Sequence, residues 1–184
     1  MTGRHVMWDG QKSVEVDVPV SGSENVMVPV IRAIVRDPTT GDILLQRRNR
    51  PNEPVLGLFE IPGGRWRAGE QPLDAIRREV SEETGVAITS IEGMSEDQID
   101  ERRTIATIRP FVVIAGADDA FPAIHTVVLA VGHGATTALA GESDDVRWWT
   151  MADLRQELAT NRSGFVPSSY AALTAYVERE DSGN

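Results

Sequence analysis

Three glutamates, Glu79, Glu82 and Glu83, fall within five consecutive positions. A helix turns by about 100° per residue, so positions i, i+3 and i+4 share a face and these three side chains would point the same way. Like charges at that spacing cost a few tenths of a kcal/mol per pair. No opposite charge stands at i+4 to relieve them; Arg78 alone is placed to fold back. A solvated acidic face is the ordinary reading of such a helix. Here Gly63-Gly64 precedes it, where the backbone can approach a ligand closely. Carboxylates beside backbone carbonyls form a hard-oxygen site, which suits Mg²⁺ or Mn²⁺.

The elements that must position these groups are readable from pattern. Pro72 fits a first helical position and Gly85 a C-terminal cap, so the pattern predicts a helix from Pro72 to about Thr84. Leu73, Ile76 and Val80 form its apolar side. Upstream, "VMVPVIRAIVRD" and "ILLQRRNR" read as strands separated by the turn "PTTGD". "LFEIPGG" reads as a short strand ending in a Gly-Gly bend, followed by a loop from Arg65 to Gln71. Downstream, "RRTIATIRPFVVIAG" predicts one long or two broken strands with Pro110 at an edge or bulge. "ADDAFP" predicts a hairpin loop and "AIHTVVLAVGHG" a further strand. "ATTALAGESDD" reads as a loop, "VRWWTM" as a strand, and "ADLRQELAT" and "VPSSYAALTAYVERE" as helices. The sum is a mixed sheet with helices, an α/β sandwich. Residues 1–25 form an N-terminal extension in which "SVEVDVPV" alternates, so that Val14, Val16 and Val18 share a strand face and a short β-hairpin could form. "SGSEN" then reads as a turn, and the main domain spans 26–184.

Composition narrows the class. The 184 residues suit one domain, and 41% are hydrophobic, enough for a packed core. The formal net charge of −10 disfavours a nucleic-acid polymer, which needs a basic patch. The chain has no cysteine, which removes thiolate nucleophiles and Cys-based zinc sites. Its three histidines, His5, His125 and His133, show no metal-ligand spacing. No apolar run reaches membrane-span length, and the first residues lack the apolar stretch of a signal peptide. The expectation is a cytoplasmic protein without membrane contact that binds small ligands through cations.

The stretch Gly64–Val86 resembles the Nudix box, G-x5-E-x7-R-E-U-x-E-E-x-G-U, with U a bulky aliphatic residue. Gly64, Glu70, Arg78, Glu79, Val80, Glu82, Glu83, Gly85 and Val86 meet every specified position. The resemblance implies an α/β/α sandwich around a mixed sheet, with the box as a loop-helix-loop. It implies a metal-dependent hydrolase that cleaves a nucleoside diphosphate linked to another moiety, through Mg²⁺ or Mn²⁺. It implies Glu79, Glu82, Glu83 and the backbone carbonyl of Gly63 as metal ligands. The general base would be a box glutamate or an acidic residue from a later loop. Glu142 has the matching placement before Trp148, with Asp144 and Asp145 as competitors. In the family, the arginine at the Arg78 position orients a box carboxylate and the glutamate at the Glu70 position fixes the loop.

The resemblance also implies substrate contacts, since relatives place a substrate-binding arginine at the Arg47–Arg48 point and approach substrate or pack beside it with the stretch that holds Glu60; alternation sends Arg47 and Arg48 to opposite faces, so one could face the phosphate site. Trp66 could stack on a base or cover the loop. Of Trp148 and Trp149, one belongs in the core. Ser168 and Ser169 fit N-caps of the last helix, and His125 fits a structural role. The substrate stays open. The proline that ADP-ribose pyrophosphatases often carry after the box is absent, as are the tyrosine of diadenosine-polyphosphate hydrolases and the signature of NADH pyrophosphatases. The extra N-terminal strands of related sugar-nucleotide pyrophosphatases often build a dimer, so a homodimer is a further expectation. The rival reading is a non-catalytic Nudix-like domain that senses a nucleotide metabolite, although such proteins usually lose box carboxylates. An isopentenyl-diphosphate-isomerase relative would need the cysteine this chain lacks.

Overall fold

The computed structural model describes residues 2–8, 13–19, 27–51, 53–67, 69–100, 103–116 and 123–183, with side chains described outside 1–26 and 97–104. The expected turn at 21–25 and the hairpin loop at 117–122 lie outside the described residues. Strands β1 (Thr2–Trp8) and β2 (Ser13–Pro19) pair antiparallel with each other, Met7 opposite Val14 and His5 opposite Val16.

The main sheet is built on β3 (Val28–Arg36), a β-branched apolar run, and β4 (Ile43–Arg48). These two strands pair only at Arg36 and Ile43 and then splay apart. The segment after the 49–58 loop fills the wedge. Its first half, β5 (Phe59–Glu60), pairs with β4, and its second half, β6 (Gly63–Arg65), pairs with β3. Ile61, at the crossing point, is fully buried. The sequence pattern placed a bend at Gly63-Gly64; the bend falls at Pro62, and both glycines are strand residues. They are glycines because β6 lies too close to its neighbours to carry a Cβ, not because the chain turns there.

Helix α1 (Pro72–Thr84) follows with the predicted bounds, and Gly85 in the left-handed conformation closes it onto the Ser81 carbonyl. Next come β7 (Ala87–Ile91), which the sequence pattern did not assign, and the hairpin of β8 (Met94–Asp100) and β9 (Arg103–Ile108), of which β8 is too polar to stand out by pattern. The broken strand resolves into β9 and β10 (Val112–Gly116), with Pro110 between them. Strand β11 (Ala123–His133) runs parallel to β3 and antiparallel to β10 and β7. Strand β12 (Ser143–Trp149) pairs with β4 and begins three residues before the predicted strand. Ser143, Asp144 and Asp145 are therefore strand residues rather than loop. The register shifts just after Asp144, where Asp145 takes a positive φ of 46°.

Helices α2 (Met151–Thr160) and α3 (Pro167–Ser182) complete the chain. The strand order is β10-β11-β3-β4-β12. One face buries Ile31, Ala33, Val35, Leu44 and Val128 under Ala75, Ile76 and Val80 of α1. The other buries Ile34, Ile43, Leu45 and Val127 under Leu154, Leu173 and Tyr176 of α2 and α3, with Trp149 set edge-on to Phe59 at 5.0 Å. Among the described residues, no helix is long and apolar enough to cross a membrane.

Neither serine expected to cap α3 does so, and the buried Ser168 hydroxyl has no partner among the described residues. The N-cap of α3 is Val166, and no side chain bonds there. The fully buried Ser169 hydroxyl accepts the Ile61 amide at 3.2 Å and so pins the β5–β6 wedge to α3. Ser169→Ala leaves that buried N–H without a partner and is expected to lower stability by about 1–3 kcal/mol. The midpoint of a urea unfolding curve measures the loss.

Candidate active site

The site grows from the wedge. Because β6 hydrogen-bonds to β3, its glycines lie directly beneath the second half of α1. A Cβ on Gly64 would sit 2.5–2.8 Å from the three carboxyl-group atoms of Glu79, so the glutamate packs onto bare backbone. Glu79, Glu82 and Glu83 occupy one half of the helix, as the spacing predicts, but at three depths. Glu82 is half-exposed, Glu79 is largely covered, and Glu83 is buried at 5%.

The inner carboxylate is held by two donors. The Gln46 side-chain amide donates to Glu83 Oε2 at 2.9 Å, and the Gly63 backbone amide donates to the same oxygen at 3.0 Å. Among the described residues no donor reaches Oε1. Burial, reinforced by the nearby Glu60 charge, pushes the Glu83 carboxyl up to about 7, against the opposing pull of the Gly63 amide. The helix end is fixed from outside as well: the Ser143 hydroxyl donates to the Glu83 carbonyl at 3.1 Å.

Arg78 does fold back. Its guanidinium grips Glu70 with two bonds of 2.7 and 3.0 Å, and donates to Glu79 at 2.6 Å and to Glu82 at 3.4 Å. The Glu70 bonds do most to raise the Arg78 pKa. The Trp66 indole donates to the Glu70 carbonyl at 2.8 Å and packs on the α1-side core, so this aromatic closes the box loop.

Glu60, expected to contact substrate, is buried at 2% with both oxygens taken. Arg32 donates to Oε2 at 3.0 Å, Arg48 to both oxygens at 3.1 and 3.2 Å, and Gln46 to Oε1 at 3.3 Å. Its geometry is that of a buried anchor rather than a surface group, because three donors of its own chain already surround it. Arg48 is fixed by Glu60 and by Glu53, with its charge favoured by both despite burial. Arg47 lies on the opposite face, half-exposed and paired to Asp144 at 2.7 Å. Glu142 is 41% exposed and paired to Arg50 at 2.7 Å at the end of β4. His125 is buried in the sheet, and Asp145 pairs with Arg147 at 3.5 Å.

Pattern reading missed Gln46, Arg32 and Ser143. Arg32 did carry a signal: it is a lone polar residue inside an apolar strand run, where an unpaired polar side chain would be costly, whereas Gln46 merges with the polar end of its strand. Ser143 carried none.

The donor set fits a hard divalent cation. Its candidate ligands are all oxygens, and five carboxylates (Glu60, Glu70, Glu79, Glu82, Glu83) face three guanidiniums (Arg32, Arg48, Arg78). Among the described residues, however, no three acidic or histidine side chains already converge into a cation cage. Arg78 draws Glu79 and Glu82 toward itself, while Glu83 is held inward.

The chain is thus an α/β/α sandwich whose box helix sets clustered carboxylates over a glycine strand. The NUDIX domain model matches residues 27–168, and the chain belongs to that family. Over 64 residues it is 39% identical to a Mycobacterium tuberculosis protein named "Putative 8-oxo-dGTP diphosphatase 2", a match covering 35% of this chain and 43% of the relative. The chain thus spans under half the length of that relative. Among solved structures it resembles the NUDIX domain of Shewanella oneidensis NrtR complexed with ADP ribose, with TM-score 0.59 and 19% identity over 87% of this chain and 92% of that one. It also resembles the bifunctional NMN adenylyltransferase/ADP ribose pyrophosphatase of Francisella tularensis complexed with AMP and an Mn ion, with TM-score 0.59 and 19% identity over 85% and 43%. A MutT NUDIX hydrolase from Burkholderia pseudomallei aligns with TM-score 0.55 and 21% identity over 80% and 97%. These likenesses establish the fold.

Proposed function

We propose that this protein is a metal-dependent pyrophosphohydrolase that cleaves a nucleoside diphosphate linked to another moiety. The observation that carries the reading is Glu83, a buried carboxyl with one oxygen locked by Gln46 and Gly63 and the other without a donor among the described residues. Holding such a group at the cost of its desolvation is unexplained by stability alone. The relatives with nucleotide ligands and the Mn-bound neighbour lend support.

Glu79, Glu82, Glu83 and the Gly63 carbonyl would hold Mg²⁺ or Mn²⁺. When bound, that cation offsets the phosphate charge and polarises the phosphorus centre. Arg78 orients Glu79 and Glu82 and ties them to the box loop through Glu70. Arg48, braced from behind by Glu60 and Glu53, presents its guanidinium to substrate phosphate. Arg47, on the far face with Asp144, is the weaker candidate for that contact. The proton of the attacking water goes to a carboxylate of the cluster. Glu83 is the candidate set deepest in the cluster, with Oε2 held by Gln46 and Gly63 and Oε1 facing no donor among the described residues. Glu142, held by Arg50, is the second candidate.

The test is nucleotide and phosphate release over NTPs, oxidised dNTPs, ADP-ribose, sugar nucleotides and dinucleoside polyphosphates, with Mg²⁺, Mn²⁺ or EDTA. One preferred substrate class, cleaved only with metal, is the expected result. Tight binding without turnover across the panel would instead favour a sensing domain.

A further inference from the structure

We propose that Gln46 is a positioning residue that aims the free oxygen of Glu83 into the site; this rests on the hydrolase reading. Gln46 sits in the middle of β4 at 1% exposure, in phase with Leu44, whose side chain lies in the core under α1. Its amide nitrogen donates to two carboxylates, Glu83 at 2.9 Å and Glu60 at 3.3 Å. Its own carbonyl oxygen is buried and has no partner among the described residues. That imbalance fixes the orientation of the amide. Turned over, it would set its oxygen against two carboxylate oxygens and leave both without that donor.

The geometry links a rigid frame to the reactive group. Glu60 is clamped by Arg32 and Arg48, and Arg32 is also bonded to the Ile61 carbonyl at 2.8 Å. Gln46 carries that fixed point across to Glu83. Together with the Gly63 amide it confines both inward donors to Oε2, so Oε1 is the oxygen left for a cation or a water. A glutamine that only satisfied buried acids would have no bearing on which oxygen stays free.

The experiment compares wild type with Gln46→Met, which keeps the volume and removes the donor, and Leu45→Met, a volume-conserving change in the opposite core. Mn²⁺ affinity is measured by calorimetry without substrate, alongside kcat, KM and thermal melting. Gln46→Met is expected to weaken Mn²⁺ binding and lower kcat, each by about 10–100-fold, with KM little changed and Leu45→Met at wild-type values. Gln46→Asn, which shortens the reach, is expected to do the same and serves if the methionine variant does not fold. A folded Gln46 variant with Mn²⁺ affinity and kcat within about twofold of wild type would overturn the proposal, as would equal losses in Leu45→Met. Wild-type protein that cleaves no panel member, yet binds Mn²⁺ at least tenfold better than Gln46→Met, would refute the hydrolase reading and retain the positioning role. Wild-type protein with no Mn²⁺ affinity would overturn both.

Discussion

Glu83→Gln is expected to cut turnover by orders of magnitude while raising the melting temperature of the cation-free protein. The two effects have one source. In the unfolded chain this carboxyl titrates near 4.5; in the fold, burial and the Glu60 charge push it up to about 7. A carboxyl raised by folding supports the fold while neutral, below about pH 4.5, and that support is lost as pH climbs through 7. At roughly 1.4 kcal/mol for each pH unit between the two titrations, the ionised group costs on the order of 3 kcal/mol well above pH 7. Glutamine keeps the shape and can still accept from Gln46 and Gly63, but carries no charge. In EDTA at pH 8.5 the variant should melt about 5–10 °C above wild type, and the gap should shrink toward zero at pH 4.5. A divalent cation should raise the wild-type melting temperature more than that of the variant. Turnover should fall by about 10²–10⁴-fold, the range for a lost proton acceptor. Equal melting curves at pH 8.5 would refute the strained burial, and near-normal turnover would refute the role of Glu83 in the chemistry.

The parts of the molecule that were legible in sequence are those where pattern and stereochemistry agree. Pro72 and Gly85 bracket α1 because one residue starts a helix without loss and the other ends it in a conformation side chains resist. The β-branched runs of β3 and β11 announced buried strands. Strand β8, "MSEDQID", has almost no apolar residues and gave no such signal. Site depth was also illegible. Glu82 and Glu83 are the same residue type at adjacent positions, and only the location of β6 and Gln46 makes one half-exposed and the other buried. Glu60 shows the same dependence: pairing with β4 turns it toward Arg32, Arg48 and Gln46, which its own segment does not reveal. Contacts made across strands distant in sequence decide these roles, and no single segment encodes them.

Gly63→Ala should be the most destabilising single-methyl change in the site. Gly63 has φ of 139°, a conformation that side-chain-bearing residues rarely adopt. A Cβ there would lie 2.4 Å from the Ile31 carbonyl oxygen and 2.6 Å from the Arg32 Cα. Both obstacles are backbone of the central strand β3, so neither can swing aside. Relief requires β6 to withdraw, which breaks its pairing with β3 and removes the Gly63 amide from Glu83. The expected loss is on the order of 4 kcal/mol or more, combining backbone strain with a core displacement. Gly64→Ala separates the two causes. Its Cβ would strike the end of the Glu79 side chain, which can rotate away. That variant should keep most of its stability and lose turnover, because Glu79 is displaced. Urea unfolding of both variants, with turnover measured on the folded fraction, checks the contrast. A Gly63→Ala protein as stable as wild type would mean that β6 does not sit against β3 at this distance. The site could not then be built as described, since the same contact sets the depth at which Glu83 is held.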